Sequence, residues 1–410
     1  MAKAFTPITL KKRMNRTSAG IDTMSIADLS YHVLHVSAKT NWSFVRVRMH
    51  NGLTGWGECS LNGWETLQRA FAETWWPALT GRIVNEVADV AALCTIHLHS
   101  PGGLVAHSIK SATEQALLDA LAQAREVPLW QLLGSAQRSE VAVYANINRA
   151  TQPRTPQGFA ASARLAVQQG YGAVKLAPFD GVLPSNAESG EGALRIDAAL
   201  ECIRAVRAAV GGEIRVMVDC HWRLTPRTAR HVLDALREVR LHWLECPLSE
   251  RGSQHDEILA LRRQANAQGV RLAGAEKECE VEGFRPYLER GLYDTIMPDV
   301  KYCGGVAALV RIAQVAARHG VQTAPHNPTG PVCNFASVHA CMAGEGCDFL
   351  ELQVGESTLF MTSVQGSAPV FAQGHFGQLQ GAGMGAALDA QVLGAHPYLP
   401  VVEGLDPSLG

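Results

Sequence analysis

Eight short apolar runs, each trailed by a stretch of helical periodicity, recur between residues 141 and 354, and this repetition limits the fold more tightly than anything else in the chain. The runs occupy residues 141–147, 172–178, 214–220, 242–247, 271–276, 294–300, 322–327 and 349–354. Between them lie amphipathic segments such as FAASARLAVQQGY and VAALVRIAQVAARHG, the second ending at Gly320, where a helix C-terminus favours glycine. Strand and helix alternating eight times with short links predict parallel strands and right-handed crossovers, and a closed (β/α) barrel satisfies both.

The flanks read differently. SFVRVRMHNGLTGWGECS predicts two alternating strands joined at Asn51-Gly52, and IKSATEQALLDALAQARE predicts a helix. Residues 24–137 are therefore expected to form an α+β domain ahead of a barrel at 138–375. The Gly-rich residues 376–410, with a strand-like AALDAQVL, are expected to return and pack on the N-terminal domain. Residues 1–23 carry five basic residues, have no acid before Asp22 and lack the apolar middle of a secretory signal, and are read as a disordered tail.

Composition excludes whole classes of function. With 36 Lys plus Arg against 38 Asp plus Glu in 410 residues, there is no overall basic field to hold a nucleic-acid backbone or an anionic membrane. The ten cysteines lack the paired spacings of zinc modules, and no apolar run is long enough to span a bilayer. The expectation is a cytoplasmic homo-oligomer whose partner is a small molecule.

Side chains alternate along a strand, so Met217, Asp219 and His221 share one face. Cys220 and Cys246 then face the helices as small buried apolar residues. Taking the last inward polar residue of each strand from the second onward yields Lys175, Asp219 with His221, Glu245, Glu276, Asp299, His326 and Glu351. Any one acid at a strand end is ordinarily a helix cap or a solvated rim residue. Seven successive strands each ending in an ionisable group, at the end of the barrel where active sites lie, outweigh that reading. Asp219, Glu245 and Glu276 form an all-oxygen set suited to a hard cation, Mg²⁺ or Mn²⁺. Such an ion would stabilise the charge that appears when the carbon beside a carboxylate loses its proton.

The chain resembles the enolase superfamily over nearly its whole length, through GWGECS (55–60), ATEQALLDALAQAREVPLWQLLG (112–134), VKLAPFD (174–180), VMVDCHWRL (216–224), WLECPLSE (243–250), LAGAE (272–276), the run from 296 to 316, APHNPTGPV (324–332) and FLEL (349–352). The resemblance implies an N-terminal α+β capping domain over a (β/α)7β TIM-like barrel, with metal ligands at Asp219, Glu245 and Glu276. Ala177 stands where mandelate-racemase-like members often carry a second lysine. Asp-x-His at 219–221 with the Asp299–His326 pair resembles sugar-acid dehydratases of the galactonate and mannonate type, and implies dehydration to a 2-keto-3-deoxy acid through an enediolate. The superfamily takes its base from Lys or His with one or two Mg²⁺. The implied roles are His326 as base braced by Asp299, Lys175 as positive charge beside the substrate carboxylate, Glu351 as its hydrogen-bond partner, and His221 as acid toward the 3-hydroxyl.

Other readings stay open. The same residues suit a C2 racemase or epimerase or a cycloisomerase, and the fold also suits a non-catalytic sugar-acid sensor. The run AGAE lacks the glycine that usually precedes the third ligand, which leaves Glu278 or Glu280 as alternatives to Glu276, as Glu356 is to Glu351. Two mobile capping loops are expected at residues 36–42 and 60–65, with Trp42, Asn62 and Trp64 as candidates. Trp64, Phe179, Asp180, Trp222 and Asn327 are the expected substrate contacts.

Overall fold

In the N-terminal part, apolar residues alternate along three antiparallel strands: β1 (Ile26–Ser37), β2 (Thr40–Met49) and β3 (Thr54–Glu58). The computed structural model describes residues 24–95, 103–134, 136, 138–347, 349–366 and 369–401. The tail expected at residues 1–23 lies outside these. The predicted hairpin at Asn51-Gly52 joins β2 to β3, with Gly52 at φ +87°. Strand β1 was not anticipated. It runs to Ser37 and pairs with Thr40, so residues 36–42 form a tight two-residue turn where a mobile loop was expected, and Trp42 is buried on β2.

Helices α1 (Glu65–Trp75), α2 (Val87–Thr95), α3 (Gly103–Ala124) and the short α4 (Leu129–Leu132) complete this domain. The two glycines of GWGECS have a steric cause. A Cβ on Gly55 would stand 1.9 Å from the Ala116 carbonyl oxygen, and one on Gly57 1.9 Å from that of Ala112. Helix α3 therefore lies directly on the backbone of β3, an approach open only to glycine.

Eight parallel strands follow: β4 (Glu140–Asn146), β5 (Ala173–Leu176), β6 (Arg215–Asp219), β7 (Trp243–Glu245), β8 (Arg271–Gly274), β9 (Thr295–Ile296), β10 (Gln322–Thr323) and β11 (Leu350–Gln353). Neighbours pair in sequence from β4 to β10, and β11 closes the ring on β4. Between β10 and β11 the contact thins to a Thr323–Cys347 bridge and a 3.4 Å bond from the Glu351 amide to the Pro325 carbonyl. The outer helices are α5 (Pro156–Gln168), α6 (Gly190–Val210), α7 (Pro226–Ala235), α8 (His255–Ala267), α9 (Glu280–Arg290), α10 (Val306–Arg318) and α11 (Pro331–Ala343). The fold is the expected α/β (β/α)7β TIM-like barrel with an α+β capping domain.

Inside the barrel, Tyr144, Ala173, Met217, Trp243, Ala273, Met297, Ala324 and Phe349, one on or directly beside each strand, form a separate buried cluster. Bulky and small residues share the space, so the interior is a packed floor and not a pore. These residues also fix which positions point inward.

After β11 come α12 (Leu359–Thr362), β12 (Val364–Gly366), β13 (Phe371–Ala372), β14 (His375–Gly377), β15 (Ala386–Leu388) and α13 (Ala390–Ala395). Strand β14 pairs antiparallel with β4, while the Leu129 amide bonds to the Gly383 carbonyl and the Met384 amide to Asp119 of α3. Among the described residues no helix is long and apolar enough to cross a membrane.

Candidate active site

Inward parity, set by the packed floor, carries Asp219 and Glu245 to the strand ends side by side, since they are register partners on β6 and β7. Glu276 arrives differently. Ala273 points inward and pairs with Glu245, so in extended backbone Ala275 would point inward and Glu276 outward. Ala275 instead adopts φ +66°, a left-handed kink that turns Glu276 into the ring. Glycine takes this conformation at no steric cost, which accounts for the glycine usual before the third ligand. The alanine is held by Glu250, whose carboxylate accepts the Ala275 amide at 2.5 Å and the Tyr293 hydroxyl at 2.8 Å.

Ligand atoms of Asp219, Glu245 and Glu276 all lie within 4.8 Å of one another, and all three residues are buried. Burial, followed by the charges of Asp219 and Glu245, pushes the Glu276 carboxyl well above its usual range. Burial likewise raises Glu245 despite Lys175, whereas His221 and Lys175 outweigh burial at Asp219 and hold it low. Three crowded, buried carboxylates offering only oxygen donors suit a small divalent cation. Of the alternatives, Glu278 bonds the Tyr287 hydroxyl and Glu280 pairs with Lys110, so neither joins this group.

Lys175 is wholly buried, with its ammonium 2.6 Å from Glu245 Oε1 and 2.8 Å from Glu351 Oε1. Burial alone would lower its pKa, but those two carboxylates push it well up, so it stays a cation. Glu351 also accepts from Asn146 Nδ2 at 2.7 Å and from the Asn327 amide at 3.1 Å. Neither Lys175 nor Glu351 exposes surface. The Lys175 ammonium bridges Glu245 and Glu351. Trp243 joins them, donating its indole N–H to Glu245 Oε2 at 2.9 Å. Glu356, the competitor of Glu351, lies at the rim, bonded to Thr40 and Arg149.

The two histidines flank the triad. His326 places Nδ1 2.7 Å from Asp299 Oδ2 and Nε2 3.6 Å from Glu276 Oε1. Lys301, unforeseen in the sequence, lies 3.1 Å from the same Asp299 oxygen and donates its amide to the other. Against burial, Lys301 and His326 hold Asp299 below its usual range. An ionised Asp299 only accepts hydrogen bonds, so His326 Nδ1 donates to it and Nε2 is the nitrogen turned toward Glu276. On the other flank, His221 Nε2 is 2.8 Å from Asp219 Oδ2. His221 and Trp222 are both left-handed, at φ +46° and +56°.

His221 opens into a cavity of about 660 Å³ lined also by Lys39, Arg149, Arg154, Asp180 and Arg223. Of the five expected substrate contacts, Asp180 lines this cavity, held by Arg154 at 2.5 Å. Trp222 is half-buried, with the Lys277 ammonium 4.0 Å over its ring and its indole N–H bonded to Glu250. The other three do not line it. Phe179 packs in the hydrophobic core and offers only its carbonyl, to Arg223 at 2.7 Å. Asn327 is buried and spends its amide groups on Glu351 and Asn334. Trp64 is half-buried just before α1 and does not line the cavity.

Missed residues fall into two kinds. Asn146 was legible as the last inward polar residue of the first strand run. Glu250 acts from a neighbouring loop and no periodicity marks it, while Lys301 stands two residues past Asp299, as His221 stands two past Asp219.

Comparison with known proteins adds family and fold. A family model described as "Enolase C-terminal domain-like" matches residues 158–392, and one for the mandelate racemase / muconate lactonizing enzyme N-terminal domain matches residues 23–134. The chain is 33% identical over 223 residues to a D-gluconate dehydratase of Thermoproteus tenax, covering 54% of this chain and 42% of that one. It is 29% identical over 426 residues to a D-galactonate dehydratase family member of Streptomyces bingchenggensis, covering 97% of this chain and 99% of that one. The crystal structure of an enolase from Agrobacterium radiobacter with bound Na and L-malate superposes with a TM-score of 0.79 at 24% identity, covering 92% of this chain and 96% of the other.

Proposed function

The chain belongs to the enolase superfamily, in its mandelate racemase/muconate lactonizing branch, and from that premise we propose that it is a lyase that dehydrates a sugar acid, an aldonate or aldarate, to a 2-keto-3-deoxy acid. The observation that carries this reading is the pair of histidines on opposite flanks of the carboxylate triad, with Ala177 in place of a second lysine. Relatives named as D-gluconate, D-galactonate and D-xylonate dehydratases support it.

A bound Mg²⁺, or Mn²⁺ on the same donors, would be held by Asp219, Glu245 and Glu276 and would stabilise negative charge on the substrate carboxylate as C2 loses its proton. His326 takes that proton on Nε2, because Asp299 fixes Nδ1 as the protonated nitrogen and stabilises the imidazolium that results. Asp299 can do this because Lys301 keeps it ionised. His221, half-exposed and paired with Asp219, donates a proton to the 3-hydroxyl so that it leaves as water. The enol then becomes the 2-keto acid. Lys175, Asn146 and Trp243 keep Glu245 and Glu351 in place beneath the reaction.

The test is incubation in D₂O with Mg²⁺ and a panel of aldonic and aldaric acids, followed for C2 exchange and for 2-keto acid. The expected result is a keto acid from at least one of them. Exchange at C2 without a keto acid would replace this reading with a C2 epimerase. Metal binding with neither exchange nor product would replace it with a sensor.

A further inference from the structure

The capping domain reaches into the barrel through a buried carboxylate that the mechanism above does not use. Glu58, the last residue of β3, accepts the Thr329 hydroxyl at 2.8 Å, the Gly330 amide at 2.8 Å and the Cys333 amide at 2.9 Å, with Ser60 of its own domain at 2.7 Å. Those partners form the turn between the end of β10 and the start of α11, whose opening amides attract negative charge. The fit is close: a Cβ on Gly330 would stand 2.7 Å from Glu58 Oε1 and 2.9 Å from Trp42.

Two residues upstream of Thr329 lies Asn327, whose amide bonds to Glu351, and before it His326. From the same direction Gln115 of α3 bonds both the Glu58 carbonyl and the Val300 carbonyl, beside Asp299 and Lys301. We propose that Glu58 is a positioning residue for the reaction: by holding residues 329–333 it sets the place of His326 and of the Asn327 amide, so that the base is aligned only when the capping domain is docked. The proposal rests on the reading of His326 as the base. The Glu58 carboxylate is spent on Ser60, Thr329, Gly330 and Cys333, none of them a carboxylate of the triad, so its loss acts through alignment, where a displacement of about 1 Å can cost on the order of 100-fold in rate.

The experiment compares Glu58→Ala, Glu58→Gln and Asp119→Asn. Asp119 is another buried capping-domain acid, bonding the Trp56 and Met384 amides away from the base, and controls for loss of stability. Glu58→Ala is expected to lower kcat by roughly 10- to 100-fold with KM and Mg²⁺ affinity within about threefold of wild type. Glu58→Gln, whose amide oxygen still accepts an N–H, recovers part of the loss, and Asp119→Asn lowers Tm without lowering kcat. Hydrogen exchange read by mass spectrometry gives a second measure that needs no turnover: the Asn327 amide exchanges faster in Glu58→Ala only. Wild-type kcat in Glu58→Ala, an equal loss in Asp119→Asn, or unchanged Asn327 exchange would overturn the proposal. If wild type turns over no sugar acid, the functional reading fails by itself and the Asn327 exchange alone decides whether Glu58 sets this turn.

Discussion

His221 and His326 stand on opposite flanks of one carboxylate triad, yet their surroundings differ in almost every respect. The His326 side chain is 12% exposed, follows a short regular strand, and is backed by Asp299, Lys301 and the capping domain. The His221 side chain is 41% exposed, lies on a left-handed turn, and has Asp219 as its ion-pair partner. A base that must take a carbon-bound proton gains from a fixed tautomer and a dry setting. An acid that must recover a proton after each turnover gains from contact with water. The asymmetry supports the two roles proposed for them.

The most forceful way to break this comparison is to remove each ring separately. His326→Asn is expected to abolish both C2 exchange and dehydration, by roughly 10²- to 10⁴-fold, the usual range for an acid or base. His221→Asn is expected to reduce dehydration by a similar factor while C2 exchange in D₂O survives, because proton removal no longer depends on the leaving group. If His221→Asn lost exchange and His326→Asn kept it, the roles would be reversed.

The sequence exposed one flank better than the other, for a physical reason. Where backbone stays extended to the strand end, alternation suffices, and it placed Lys175, Asp219, Glu245, Asp299, His326 and Glu351 correctly in the ring. Where the chain leaves β geometry, alternation stops applying. Among the described residues, eight non-glycine residues have positive φ, and four of them, His221, Trp222, Cys246 and Ala275, follow the strands that carry the triad. Backbone strain gathered at one place is characteristic of functional sites. Glu276 reached its place in the sequence reading through a parity argument that does not hold, since Ala275 breaks the alternation. The capping strand β1 was missed because its polar residues, such as Ser30, His32 and His35, blur the apolar period. Glu58 was illegible because its meaning depends on which remote backbone it meets.

A second test, smaller in effect, concerns what holds the sixth- and seventh-strand side to the capping domain. Glu114 of α3 accepts the Val306 and Ala307 amides at 2.9 and 2.8 Å, capping α10 as Glu58 caps α11. Burial, opposed by those amides, pushes Glu114 up to about 7 from an ordinary 4.5. A folded pKa above the unfolded one means that the native state binds the proton more tightly between the two. The contribution is therefore complete below about pH 4.5 and is lost as pH rises through about 7, amounting to about 3 kcal/mol across that window. Denaturant unfolding of wild type between pH 4.5 and 8 is expected to show this decline, and Glu114→Gln, which cannot ionise, to flatten it. Parallel curves for the two proteins would mean that Glu114 is ionised throughout and serves as a plain helix cap.

The smallest expected effect isolates the kink itself. At φ +66° an alanine suffers contact between its Cβ and the following carbonyl that a glycine avoids, a difference of about 1 kcal/mol that the greater freedom of glycine in the unfolded chain partly offsets. Ala275→Gly should thus raise stability by roughly 0.5 kcal/mol, measurable as a small upward shift in the denaturation midpoint. The same change should leave Mg²⁺ affinity intact, because the Ala275 amide that Glu250 holds remains and the turn toward Glu276 is preserved. A loss of stability would show that the alanine methyl makes packing contacts worth more than the strain it causes. A loss of metal affinity with stability unchanged would be more informative still. It would show that the methyl group restricts Glu276 to one orientation, and that the turn carrying Glu276 owes its order to local strain where the turn after His326 owes it to the capping domain.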